Sequence, residues 1–265
     1  MSKRPKVIFC VPFLDRPTAP FIAALEASVP LIEAAGWDHG LVQEVGNVYI
    51  SQARSQLLRK ACNGEPDCVV FLDFDLSWDA AALLKLIQCE ADVVGGTYRF
   101  KVEGPDDFMG RAMTDDDGRT TYPIGGLLKM RCMPAGFLKV TWKAINDFMA
   151  AYPSLVYGSP AYPYLDLFNH GAIDGVWHGE DYAFSKRWRE MGRDLFCIPD
   201  INITHHSSTT AYAGNYHDFL QRLPGGLMDP NRAIAMRKVL KPEVQAYYDK
   251  IKSELNDQPH MEEAA

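Results

Sequence analysis

The chain predicts an α/β fold: a mostly parallel central sheet flanked by helices. Three observations carry this. Strand-like and helix-like segments alternate through the first hundred residues, as parallel sheets with crossover helices require. The run "DCVVFLDFD" is continuously apolar before its acidic end, as expected of a strand covered on both faces. The 265 residues can bury the core of one large α/β domain or two small ones.

The elements follow in order. "KVIFCVPF" (6–13) reads as a first strand running into Pro12. "APFIAALEASVPLIEAAG" (19–36) has helical apolar spacing and stops at Gly36. "HGLVQEVGNVYI" is a second strand and turn. "SQARSQLLRKAC" (51–62) is a helix with Ser51 available as N-cap. After "DCVVFLDFD" comes the helix "WDAAALLKLIQCE", then the strand "ADVVGGTYRF" ending in Gly95-Gly96.

The middle is different. Residues 101–119 are polar, include "TDDDGR" and predict a surface loop. "TYPIGGLLKMRCMPAGFLKV" predicts a β-hairpin or a pair of short strands. "TWKAINDFMAAY" is a helix with Thr141 as N-cap. "YGSPAYPYLDLFNHGAIDGVW" has no period and predicts a loop. "EDYAFSKRWREMG" is a helix ending at Gly192. "DLFCIPDINITHH" gives short strands ending in two histidines, and "SSTTAYAGNYHDF" reads as another loop. The expected organisation is one domain over 1–228, with a nucleotide-binding half to about residue 100 and an acceptor-binding half after it. A helical extension follows over 229–256, and a disorder-prone tail over 257–265.

Composition narrows the function. The formal net charge of −7 argues against sequence-independent nucleic-acid binding, which rests on clustered Lys and Arg. Six scattered cysteines without CxxC spacing predict reduced core thiols rather than a zinc site. No apolar run is long enough to span a bilayer. The basic start "MSKRPK" and the short run after it lack a signal-peptide pattern, so the expected compartment is the cytoplasm.

Three constellations carry chemistry. Asp73 and Asp75 close a buried strand and, by alternation, are expected to face the same way. Two such carboxylates suit a magnesium or manganese ion that keeps positions open for phosphate oxygens. The plainer alternative is capping of the next helix, which Asp79 alone could perform. Glu180 and Asp181 begin a helix, where the dipole favours anions; one of them is also placed to act as a general base. His205 and His206 end a strand. Packing explains such a pair as readily as ligation does, but an imidazole joining a carboxylate gives a mixed N/O shell that suits manganese.

The order and spacing of these pieces resemble a GT-A glycosyltransferase, in particular the small family-2-like enzymes of bacteria and phages. The resemblance rests on "VIFCVPF", "ISQARSQLLRKA", "VVFLDFDLSW", "ADVVGGTYRF", "MPAGFLKV", "GEDYAFSKRWREMG" and "IPDINITHHS". It implies that Val11, Pro12 and Phe13 border the base, and that Arg54 lies near the diphosphate. Asp73, with Phe74 beside it, meets ribose or a metal-bound water, and Asp75 ligates the cation. His205 completes the metal shell, with His206 the rival one register away. Asp181 is the general base with Glu180 beside it, and Gly136, Trp177 and His178 lie on the acceptor side. Ser55 and Ser207 depart from the family's usual asparagine and glycine.

The implied activity is manganese- or magnesium-dependent, inverting transfer of a sugar from a nucleoside-diphosphate donor, expected to be a UDP-sugar. The acceptor is a hydroxyl on a glycan, a protein or a hydroxymethylated pyrimidine of DNA. A nucleotidyltransferase and a non-catalytic nucleotide-sugar-binding protein are the competing classes. No Gly-rich phosphate loop with a following lysine stands near residue 13 to favour the former. Residues 101–119 and 207–226 are expected to close over the donor, and Tyr157, Tyr162, Tyr164 and Trp177 offer stacking surfaces.

Overall fold

Seven apolar residues after Lys6 form strand β1, Lys6–Phe13, buried along most of its length. The computed structural model describes residues 3–114, 120 and 126–222, all inside the unit Met1–Leu227. The helix expected over 229–256 and the tail at 257–265 lie outside the described residues.

Helix α1 (Ala19–Ala34) starts where Thr18 Oγ1 accepts the amide of Phe21, with Pro20 in the first turn, where no donor is needed. Strand β2 (Asp38–Val45) follows. Helix α2 (Ile50–Cys62) is capped at Tyr49, not Ser51. Ser51 lies inside the helix, buried, with its Oγ 2.9 Å from His170 Nδ1. Next come β3 (Cys68–Leu72), β4 (Leu76–Trp78), α3 (Ala80–Gln88), β5 (Val93–Gly95), β6 (Arg111–Ala112), β7 (Leu128–Cys132) and β8 (Phe137–Thr141). Thr141 caps α4 (Trp142–Ala151), as its position predicts, by accepting the amide of Ala144.

The aromatic stretch expected to be irregular instead forms two hairpins. These are β9 (Val156–Ser159) with β10 (Tyr162–Leu165), and β11 (Gly171–Ile173) with β12 (Val176–His178). Gly158 and Gly175 adopt positive φ in them, a conformation that glycine takes without a side-chain penalty. Helix α5 (Glu180–Glu190), β13 (Leu195–Cys197) and β14 (Asn202–His206) follow. The last described elements, β15 (Ala211–Asn215) and α6 (Tyr216–Arg222), replace the expected loop.

The central sheet has eight strands in the order β2-β1-β3-β8-β5-β13-β7-β6. It is mixed rather than mostly parallel. β1 is parallel to β2 and β3, and β5 to β13, but β8 runs antiparallel between β3 and β5. A continuous apolar run reports burial on both faces and says nothing of direction. Direction here is set by where the chain enters: β8 begins opposite Leu72 and runs back to pair Thr141 with Cys68. For the same reason β7 and β8 are separate sheet strands and not a hairpin.

A smaller sheet, β15-β14-β4, stacks its own pairing onto the segment after β3, with His205 opposite Leu76. Between the sheets and α1 lies Trp78, edge-on to Phe21 at 5.6 Å and donating to Ser28 Oγ at 3.1 Å. Four of the six cysteines are buried; Cys62 is exposed, so the all-core expectation fails there.

Candidate active site

The Asp-x-Asp segment is a turn and not a strand end with alternating side chains. β3 stops at Leu72, the amide of Leu76 returns to the carbonyl of Asp73 (3.2 Å), and β4 begins. Thr18 fixes the apex, donating to the Phe74 carbonyl from both its amide and its hydroxyl at 3.0 Å. The two carboxylates therefore line one cavity but serve different partners. That cavity, of about 200 Å3, is lined by Pro12, Ile50, Arg54, Asp73, Phe74, Asp75, Tyr98, Met109, Glu180 and His205. It lies beyond the carboxyl ends of the parallel strands β1 and β3, where open α/β sheets place their ligands.

Asp73 faces inward. Its Oδ1 accepts Arg54 Nη2 at 2.9 Å, and its Oδ2 lies 3.5 Å from the Tyr98 hydroxyl. That hydroxyl also accepts the amide of Gly136 at 3.2 Å. Gly136 is required at this approach: a Cβ there would meet Tyr98 Oη at 2.3 Å and Asp73 Oδ2 at 2.4 Å. Burial, and then the Asp73 charge, hold Tyr98 protonated well above the ordinary phenol range.

Arg54 projects from α2 and is 1% exposed. Its guanidinium also reaches Glu180 Oε1 at 3.7 Å and lies between the rings of Phe71 and Phe168, at 5.6 and 5.5 Å. Burial works against its charge, but Asp73 and Glu180 outweigh that and raise its pKa. Its Nε and Nη1 have no protein partner among the described residues.

Asp75 faces His205. The Oδ2 to Nε2 distance is 3.7 Å, while His205 Nδ1 lies 2.8 Å from the Arg99 carbonyl. A carbonyl only accepts, so Nδ1 donates there, and Nε2 is the ring nitrogen that faces the Asp75 carboxylate. A carboxylate oxygen and an imidazole nitrogen thus converge, and Lys101 Nζ closes on the same Oδ2. Burial pushes the Asp75 pKa up, but His205 and Lys101 more than offset it and the carboxyl is held below its usual range.

Glu180 and Asp181 open α5 after Gly179, in a first turn whose dipole favours anions. Burial, then the adjacent Glu180 charge, pushes Asp181 up to about 7. Its Oδ1 accepts the amide of Tyr182 at 2.8 Å.

The structure therefore gathers Pro12, Arg54, Asp73, Phe74, Asp75, Glu180 and His205 around one hollow, with Asp181 electrostatically coupled to Arg54 and Asp73 from the same helix start. It separates others. His206 points to the opposite side of β14 and engages Ser77 Oγ at 2.8 Å; burial lowers its pKa. Val11 is fully buried in the core and Phe13 packs against it, leaving Pro12 as the strand's contribution to the cavity. Trp177 and His178 stand on β12 outside the lining, Trp177 being 71% exposed. Tyr98, Lys101, Ile50 and Met109 belong to the site and carry no motif that would single them out.

No group of three or more His, Cys, Asp or Glu side chains converges as a metal shell among the described residues. The Asp75/His205 pair still fits a divalent cation: a mixed O/N set of two leaves the remaining positions to phosphate oxygens and water. Asp73 and His206, expected in that shell, are committed to Arg54 and Ser77.

A larger hollow of about 630 Å3 is bordered by Lys85, Cys89, Leu127, Ile198 and Asp200, among others. Lys85 spends its ammonium on the Asp200 carbonyl at 3.2 Å. Facing ionisable groups, not volume, mark the site.

The chain is thus an α/β protein with a mixed central sheet. It matches no protein-family model and no curated protein. No helix among the described residues is long and apolar enough to cross a membrane.

Proposed function

We propose that this chain is a GT-A-like, manganese- or magnesium-dependent glycosyltransferase that moves a sugar from a nucleoside-diphosphate donor, a UDP-sugar, to an acceptor hydroxyl with inversion. The observation that carries the reading is the opposition of Asp75 Oδ2 and His205 Nε2 at 3.7 Å inside a hollow that Arg54 and Glu180 also line. A hollow of about 200 Å3 is smaller than the few hundred Å3 that usually enclose a whole ligand. It accommodates the diphosphate end, with the nucleoside running out past Pro12 and Ile50.

Asp75 and His205 would hold the cation, which as a Lewis acid stabilises the charge developing on the departing diphosphate. Arg54 keeps a fixed positive charge at the floor, holds Asp73 in place and has two nitrogens, Nε and Nη1, without a protein partner. Asp181 takes the proton of the acceptor hydroxyl. A carboxyl pushed up to about 7 is basic enough to accept it and is still substantially ionised at neutral pH. A single base of this kind that never bonds to the sugar gives inversion.

The test is a donor screen with manganese, read as release of free UDP or GDP. Asp75→Ala should lose both release and manganese binding. Pyrophosphate release from nucleoside triphosphates would point instead to nucleotidyl transfer, and nucleotide binding unaffected by Asp181→Asn without any turnover would point to a binding protein.

A further inference from the structure

We propose that Lys101 is a tethered counter-ion for the cation site: its ammonium occupies the Asp75 oxygen that a divalent ion needs, is displaced when the ion binds, and then turns to the phosphate oxygens of the donor. This rests on the cation-dependent reading above. Lys101 Nζ closes on Asp75 Oδ2, the same atom that faces His205 Nε2. An ammonium and a divalent ion on one carboxylate oxygen repel each other within a few ångströms, so the two are alternatives.

The surroundings allow the exchange. The backbone around Lys101 is pinned: Arg99 pairs with Phe108, and the amide of Phe100 donates to the Asp107 carbonyl at 3.1 Å. The Arg99 carbonyl in this neck also orients His205. The Lys101 side chain itself is 32% exposed and contacts solvent. Releasing the ammonium therefore needs only rotation about its own side-chain bonds, with the loop neck and the His205 tautomer undisturbed. Once released, it remains within one side-chain length of the cavity.

The consequence is a pair of effects of opposite sign. Removing the ammonium removes a competitor for the ion and a donor for phosphate. Lys101→Met, with Lys101→Gln as a second variant, should bind manganese about tenfold more tightly, the worth of one pKa unit of ion pairing. With manganese saturating, both should bind UDP roughly tenfold more weakly, the worth of one charge-assisted hydrogen bond. Manganese binding is read by the paramagnetic resonance of the free ion and UDP binding by calorimetry, with thermal unfolding confirming the fold.

Tighter manganese with weaker UDP supports the assignment. Unchanged or weaker manganese binding in both variants overturns it, as does a wild type that binds no manganese. A wild type that binds both ligands but turns over no donor removes the transfer reading while leaving the Lys101 exchange standing. Normal donor turnover with unchanged manganese binding in the variants does the reverse.

Discussion

His205 is held so that its Nε2 looks at Asp75, because its Nδ1 is spent on the Arg99 carbonyl 2.8 Å away. His206, one residue on, looks the other way and is spent on Ser77. Strand alternation makes the two rings non-equivalent, and the difference is measurable. His205→Ala should lose manganese binding and UDP release by two orders of magnitude or more. His206→Ala should keep both within severalfold and lose about 1 kcal/mol of stability with the Ser77 contact. The check is manganese titration and UDP release on the two variants side by side.

Gly136 should tolerate no side chain. A methyl group would sit 2.3 Å from Tyr98 Oη and 2.4 Å from Asp73 Oδ2, which are held by Arg54 and the sheet. Gly136→Ala is expected to cost about 1–3 kcal/mol in unfolding free energy, as overpacking does. It should also raise the donor KM, because Asp73 is pushed off its partners. Urea unfolding and donor kinetics on the same variant measure the two effects.

How much of this was legible in the sequence differs from element to element. Pattern located β1, α1, α2, β3 and α5 to within a few residues, because apolar spacing is local. It also marked both carboxylate pairs and the histidines. Strand direction was not legible: β3 and β8 are buried on both faces, and the same apolar string serves either orientation. Nor was the turn at Asp73–Asp75, which depends on the Thr18 contact to Phe74 from 56 residues away. Tyr98 and Lys101 reach the site through tertiary placement alone. The hairpins at 156–178 were hidden by short strands that are half exposed and lack alternation.

Asp181 gives a pH dependence of known sign. Its folded pKa of about 7 is raised by burial and by Glu180 above the unfolded value near 4. A base must be ionised, so kcat/KM should climb from pH 5 and level off above about 7, and Asp181→Asn should remove turnover. For stability, the folded state binds the proton more tightly than the unfolded chain. That contribution is full below about pH 4 and lost as pH rises through 7. Asp181→Asn should therefore be more stable than wild type at pH 8, by on the order of 2 kcal/mol, with the difference shrinking toward pH 4. Thermal unfolding across that range decides it. A gap that widens on acidification would contradict the raised pKa.

Arg54 is sealed beneath Asp73 and Glu180, and its worth lies in geometry as much as charge. Arg54→Ala strands two carboxylates against apolar rings, and a loss of about 3–5 kcal/mol is expected for a broken buried pair. Arg54→Lys is the sharper test. Lysine restores a charge near Asp73 and Glu180, which Arg54 meets through the single Nη2, but lacks the planar guanidinium that stacks on Phe71 and Phe168. It also lacks the Nε and Nη1 donors that remain unspent. Arg54→Lys should thus recover part of the stability lost in Arg54→Ala, yet bind UDP at least tenfold more weakly than wild type. Equal UDP affinity in Arg54→Lys and wild type would mean that the guanidinium holds the carboxylates only and never meets the diphosphate.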